Sequence, residues 1–157
     1  MIVVADTTPI NYLVLIGEID VLAKLYGHVV IPQAVQLELT NLHAPAAVRA
    51  WVSQPPNWLE VRSPRAVSDH ALDRLDSGER DAILLAQELD ADQLIVDELL
   101  GRREAERRGL SVIGTIGVLR EAAAEGLLDL RATIERLRQT SFHISPAILA
   151  SLLDEQP

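Results

Sequence analysis

The chain has no cysteine. Disulfides and thiolate metal sites are therefore excluded, and the composition suits a reducing compartment such as the cytoplasm. Aromatic residues make up only 3%, so aliphatic side chains must fill the core. The several stacking rings on which single-stranded nucleic-acid platforms rely are missing. Lysine is nearly absent: of 14 basic residues, Lys24 is the one lysine and the rest are arginine. No run approaches the ~18 apolar residues of a membrane span. No basic region precedes the short apolar run at the N-terminus, so no secretory leader is expected. Positive charge is also in deficit, with a formal net charge of −9. That argues against a general electrostatic grip on nucleic acid, and any such binding must be local or pass through a cation.

What is present is ordinary globular material: 157 residues, 48% hydrophobic and 24% charged, enough for one domain with a sizeable core. Short β-rich runs at Ile2–Ala5, Val29–Ile31, Leu59–Val61, Leu94–Val96 and Val112–Ile113 alternate with helical patterns. The helical patterns cover Pro9–Tyr26, Ala34–Thr40, Pro45–Ser53, Ser77–Leu89, Leu100–Arg108 and a stretch from Thr115 to Gly126. In the tail, "HISPAILASLL" offers Ser145 as a helix cap and Pro146 at the first helical position. The pattern predicts an α/β fold with a parallel central sheet of four or five strands, helices on both faces, and one domain over residues 1–157. A helical segment from about residue 127 to 157 should pack on it.

Ligands of open parallel sheets bind outside the carboxyl ends of the strands. Asp6 ends the first strand, and Asp97 and Glu98 end the fourth. Glu38 sits in the amphipathic "VQLELT" helix, and Glu79 and Asp81 lie in the first turns of "SGERDAILLA". Each acid has a plainer role open to it: Asp6 as a helix cap, Glu79 and Asp81 as complements to a helix dipole, Glu38 on a solvated face. If they converge, several carboxylates would repel one another, and an all-oxygen donor set suits Mg²⁺ or Mn²⁺.

Four fragments in order, "VVADTTPINYLVLIGEIDVL", "VVIPQAVQLEL", "LDSGERDAILLAQELDADQLIVDE" and "GLSVIGTIGVLREAAAEGLL", resemble the PIN-domain ribonucleases, specifically the VapC-type toxins and their uncharacterised relatives. The resemblance spans nearly the whole chain and implies a single PIN-like domain. It further implies an Mg²⁺- or Mn²⁺-dependent endoribonuclease acting on RNA, neutralised by a cognate antitoxin that enters an acidic groove. By the same likeness Asp6, Glu38, Asp81 and Asp97 would be the catalytic acids, with Asp6, Asp81 and Asp97 on the metal and Glu38 acting directly or through water. Thr7 or Thr8 would orient Asp6 or a metal-bound water. Glu79 competes with Asp81, and Glu98 with Asp97, because each pair stands almost side by side.

"GRREAERRG" places four arginines on one helix. They form either a solvated face in which Glu104 pairs with Arg108, or an RNA contact through Arg102 or Arg103, the two nearest Asp97. The four histidines are widely spaced, and no Walker A, G-x-S-x-G or G-x-G-x-x-G motif occurs. "GTIG" reads as a strand-to-helix turn. The stripe Ile148, Leu149, Leu152 and Leu153 reads as packing, or as a homodimer or antitoxin contact. Two rivals to the nuclease reading remain. One is a degenerate PIN fold that only binds a protein. The other is a receiver-like phosphoacceptor, which normally needs a late-strand lysine where this chain has only Lys24, in its first helical segment.

Overall fold

A computed structural model describes residues 1–66 and 69–154. The last three residues of the expected domain, 155–157, lie outside the described residues. Five strands form one parallel sheet: β1 (Val3–Ala5), β2 (Val29–Pro32), β3 (Leu59–Arg62), β4 (Gln93–Ile95) and β5 (Val112–Ile113), in the order β3-β2-β1-β4-β5. Val4 pairs with Val30 on one side and with Leu94 on the other. The chain winds outward from β1 through β2 to β3, then returns to lay β4 against the other side of β1. The strand order therefore reverses between β1 and β4, where a doubly wound sheet opens its crevice.

Alternation along the strands divides the core in two. Val3, Ala5, Val29, Ile31 and Ile95 face one apolar cluster, and Val4, Val30, Leu94 and Val96 the other. Residues two apart share a face of a strand. The first cluster is covered by α1 (Thr7–Leu15), α2 (Val21–Tyr26), α3 (Gln33–Thr40), α4 (Ala46–Ser53), α7 (Thr115–Ala124), α8 (Leu130–Arg138) and α9 (Pro146–Asp154). The second is covered by α5 (Ser77–Glu88) and α6 (Leu99–Arg107), with a 3-10 turn at His70–Leu72. Thus the sheet is buried on both faces, and its strands can be almost wholly aliphatic.

One expected helix is two. The run Pro9–Tyr26 breaks after Leu15, where Gly17 adopts φ 76°, a left-handed conformation that costs glycine little. Arg136 Nη1 donates to the Ile16 carbonyl at 2.6 Å, tying the freed end of α1 to α8. At the C-terminus the Ile148 amide donates to Ser145 Oγ at 3.2 Å, the capping bond that "HISPA" suggested. Among the described residues, no helix is long and apolar enough to cross a membrane.

Candidate active site

Asp6 follows β1 directly, and its amide donates to the Ile95 carbonyl of β4 at 3.0 Å, so its backbone is pinned at the switch point. It occupies the N-cap position of α1 but makes no capping hydrogen bond with its side chain. The residue is only 3% exposed, and Oδ1 is buried with no hydrogen-bond partner among the described residues. Burial pushes the carboxyl up to about 7 because the charged form loses water. The Thr7 amide offsets part of this rise, while the charges of Asp76, Glu38 and Asp97 add to it.

Three other elements bring carboxylates to Asp6. On α3, Glu38 is half-buried, and its carboxyl is raised by burial and then by Asp76. Thr7 Oγ1 favours the charged form of Glu38, and it is buried with no completed hydrogen bond to any described residue. At the start of α5, Asp76 caps the helix by accepting from the Glu79 amide at 2.8 Å. Glu79 itself is 6% exposed. Its carboxyl is raised by burial first, then by the neighbouring Asp76, then by Asp6 and Glu98. Two glycines make the crowding possible. A β-carbon on Gly78 would stand 2.5 Å from Glu38 Oε1 and 3.3 Å from Asp6 Oδ1, and one on Gly101 would stand 2.8 Å from Glu79 Oε2.

Asp97 comes from the loop after β4. The Thr115 amide donates to its Oδ1 at 2.8 Å and the Thr115 hydroxyl to its Oδ2 at 2.6 Å. Thr115 opens α7 and is fully buried, so both carboxylate oxygens are held by one rigid residue. Burial raises the Asp97 carboxyl, against the pull of Thr115 and of the nearby Arg102 guanidinium. Gly114 leaves room for the approach, since a β-carbon there would meet Asp97 Oδ1 at 2.8 Å and Arg102 Nη1 at 2.9 Å.

The structure thus brings together Asp6, Glu38, Asp76, Glu79 and Asp97, with Glu98 acting on Glu79 and Asp97. Asp81, the third acid expected from the resemblance, is not among them. It is part-exposed about half a turn further into α5, on another face of the helix, with Oδ1 3.4 Å from Arg80 Nε, while Glu79 occupies the place beside Asp6. Thr8 lies on α1, and among the described residues no hydrogen bond joins it to the acids. Of the two arginines, Arg102 faces Asp97, while Arg103 is exposed on the opposite flank of α6.

Sequence reading passed over Asp76, Gly78 and Thr115. The "DSGE" capping box carried the signal for Asp76 and Glu79. For Thr115 the only hint was a threonine at the first turn of a helix following a strand. Among the described residues, no group of three or more His, Asp or Glu side chains forms a ready-made metal cage. The residues nonetheless fit a hard divalent cation. The donors are all carboxylate oxygens, one of them is buried with no hydrogen-bond partner among the described residues, and Arg102 beside Asp97 offsets only part of their mutual repulsion.

In comparisons with known proteins, a family model, DUF3368, described as a PIN domain, matches residues 2–156. No curated protein matches the chain at a significant level.

Proposed function

The chain belongs to the PIN-domain family, and from that premise we propose that it is a divalent-metal-dependent endoribonuclease hydrolysing RNA phosphodiester bonds. The family is of nuclease type. The metal, the RNA substrate and the residue roles are our reading of the site. Asp6 supports it most directly: a carboxylate buried at the switch point, one oxygen unsatisfied, ringed by other acids. In isolation that arrangement is costly, and a cation would relieve the cost.

Asp6, Glu79 and Asp97 would hold Mg²⁺ or Mn²⁺, with Glu38 as a direct or water-mediated ligand. A bound ion of this kind lowers the pKa of water and neutralises charge on a phosphodiester under in-line attack. The chain's own residues supply the positioning. Thr115 fixes the Asp97 carboxylate by two hydrogen bonds. Gly78 lets the first turn of α5 close on Glu38 and Asp6. Asp76 starts α5 so that Glu79 faces inward. Thr7 would favour the charged form of the neighbouring Glu38.

We further read the protein as the toxin of a toxin–antitoxin pair, held in check by a cognate antitoxin at the acidic edge. Exposed leucines flank that edge, Leu37 and Leu42 (62% and 83% exposed) near Glu38, Leu99 and Leu100 after Glu98, a surface suited to a protein partner. The same leucines would serve a fold that binds a protein and no longer cleaves, and one assay separates the two. RNA is incubated with wild type in Mn²⁺ or Mg²⁺, with wild type in chelator, and with Asp6→Asn. Cleavage confined to the first sample supports the nuclease. Equal cleavage by wild type and Asp6→Asn overturns the catalytic assignment, and no cleavage in any sample leaves the binding module.

A further inference from the structure

With a net charge of −9, the protein repels a polyanion at long range, so a ribonuclease of this composition needs a local cationic seat beside its acids. Five of the thirteen arginines are committed to ion pairs elsewhere: Arg62 to Glu60, Arg80 to Asp81, Arg108 to Asp69 and Glu104, Arg136 to Glu18, Arg138 to Glu135. Three others gather in one hollow of about 290 Å³, lined by Arg74, Leu75, Leu100, Arg103, Glu104 and Arg107.

Within it Arg107 is gripped by Glu104, Nη2 to Oε1 at 2.6 Å and Nε to Oε2 at 2.9 Å. Arg74 and Arg103 are exposed and have no hydrogen bond or ion pair to any described residue. Three guanidiniums and one carboxylate thus line the hollow, an excess found in a strongly acidic chain. Two residues of its lining adjoin the acid group along the chain. Leu75 directly precedes Asp76, and Leu100 directly precedes Gly101, the residue against which Glu79 packs.

We propose that this hollow, with Arg74 and Arg103 as its free cations, is a phosphate-binding seat for the RNA backbone, one or more nucleotides away from the bond that is cut. The seat rests on the ribonuclease reading and extends it by saying how the strand is held. Guanidinium forks match phosphate oxygens in pairs, and the leucine floor accepts the apolar face of a sugar or base. Because the hollow lies outside the acid group, its grip is independent of the metal. Arg102, on the other flank of α6 beside Asp97, is left for the scissile region.

The test measures binding of a short fluorescent single-stranded RNA over a series of KCl concentrations, in chelator so that no strand is cut. Wild type, Arg74→Gln/Arg103→Gln and the control Arg138→Gln are compared, with melting temperatures to confirm folding. Wild type and control bind alike. The double variant binds roughly 10-fold more weakly, and its log–log salt slope is smaller by about 1.4, as two lost phosphate contacts on a single strand require. Equal affinity and slope overturn the seat, and so does weaker binding with an unchanged slope. No wild-type binding in chelator also overturns it, while metal-dependent cleavage, assayed separately, stands or falls alone. A polyglutamate peptide that shows the arginine dependence when RNA does not would assign the hollow to an acidic protein partner and overturn the proposal.

Discussion

Asp6 gives the sharpest prediction that rests on one residue. Its carboxyl titrates near 3.8 in the unfolded chain and at about 7 in the fold. Between those values the folded state keeps a proton that the unfolded state has released, so metal-free stability falls as pH rises from about 4 to about 7 and then levels. A shift of this size corresponds to at most about 4 kcal/mol. Asparagine mimics the protonated form. In chelator near pH 8, Asp6→Asn should therefore be more stable than wild type by roughly 2–4 kcal/mol, and the gap should close near pH 4; urea unfolding at the two pH values measures it. A large metal-free loss of stability on substitution would restore Asp6 to a capping role. The third acid is a second matter for single residues. The resemblance favoured Asp81 over its competitor Glu79 because Asp81 directly precedes the apolar face of α5, and only the three-dimensional path of the first turn separates them. Glu79→Gln should abolish cleavage and Asp81→Asn should preserve most of it, read as initial rates on one RNA; the reverse ranking would return the role to Asp81.

Elements were the most legible part of the chain, because parallel strands buried on both faces leave uninterrupted aliphatic runs and helices leave a 3.6-residue period. All five β-rich runs became strands to within a residue at either end. The missed break at Gly17 shows where pattern fails: the apolar period carries on through the turn, and only the glycine and the Arg136 bond from a distant helix mark the end. Gly78 was illegible for a related reason. Inside a helix it reads as a weak residue, about 1 kcal/mol worse than alanine, and its purpose appears only when α3 and β1 deliver Glu38 and Asp6 against it. That yields a prediction with two separable readouts. In Gly78→Ala the new methyl displaces the flexible end of Glu38, and the helix gains propensity. Thermal stability should stay within about 1 kcal/mol of wild type, while metal affinity and cleavage fall at least 10-fold. A loss of stability with undiminished activity per folded molecule would mean that Gly78 serves packing alone. Thr115 follows the same logic at the start of α7. Thr115→Val keeps the volume but takes the hydroxyl from Asp97 Oδ2, costing about 1–3 kcal/mol for the buried bond and slowing cleavage more than it weakens RNA binding.

For the whole molecule, composition spoke clearly about what was excluded and left open how an acidic protein could hold RNA. The sheet order supplies part of the answer, since reversal between β1 and β4 forces Asp6 and Asp97 to one edge whatever the rest of the surface carries. The net charge itself sets up the last test. Any salt screens a charge of −9 and should raise the melting temperature slightly. A cation that binds the folded acids and not the unfolded chain adds a saturable term, about 2.7 kcal/mol at a hundred times its dissociation constant. The two contributions separate by comparing MgCl₂ or MnCl₂ with KCl at matched ionic strength. Wild type should melt higher in the divalent salt, with saturation, and Asp6→Asn should lose most of that difference while keeping the KCl response. Identical curves in the two salts would mean that the acids repel without binding, leaving the edge to the leucines around it.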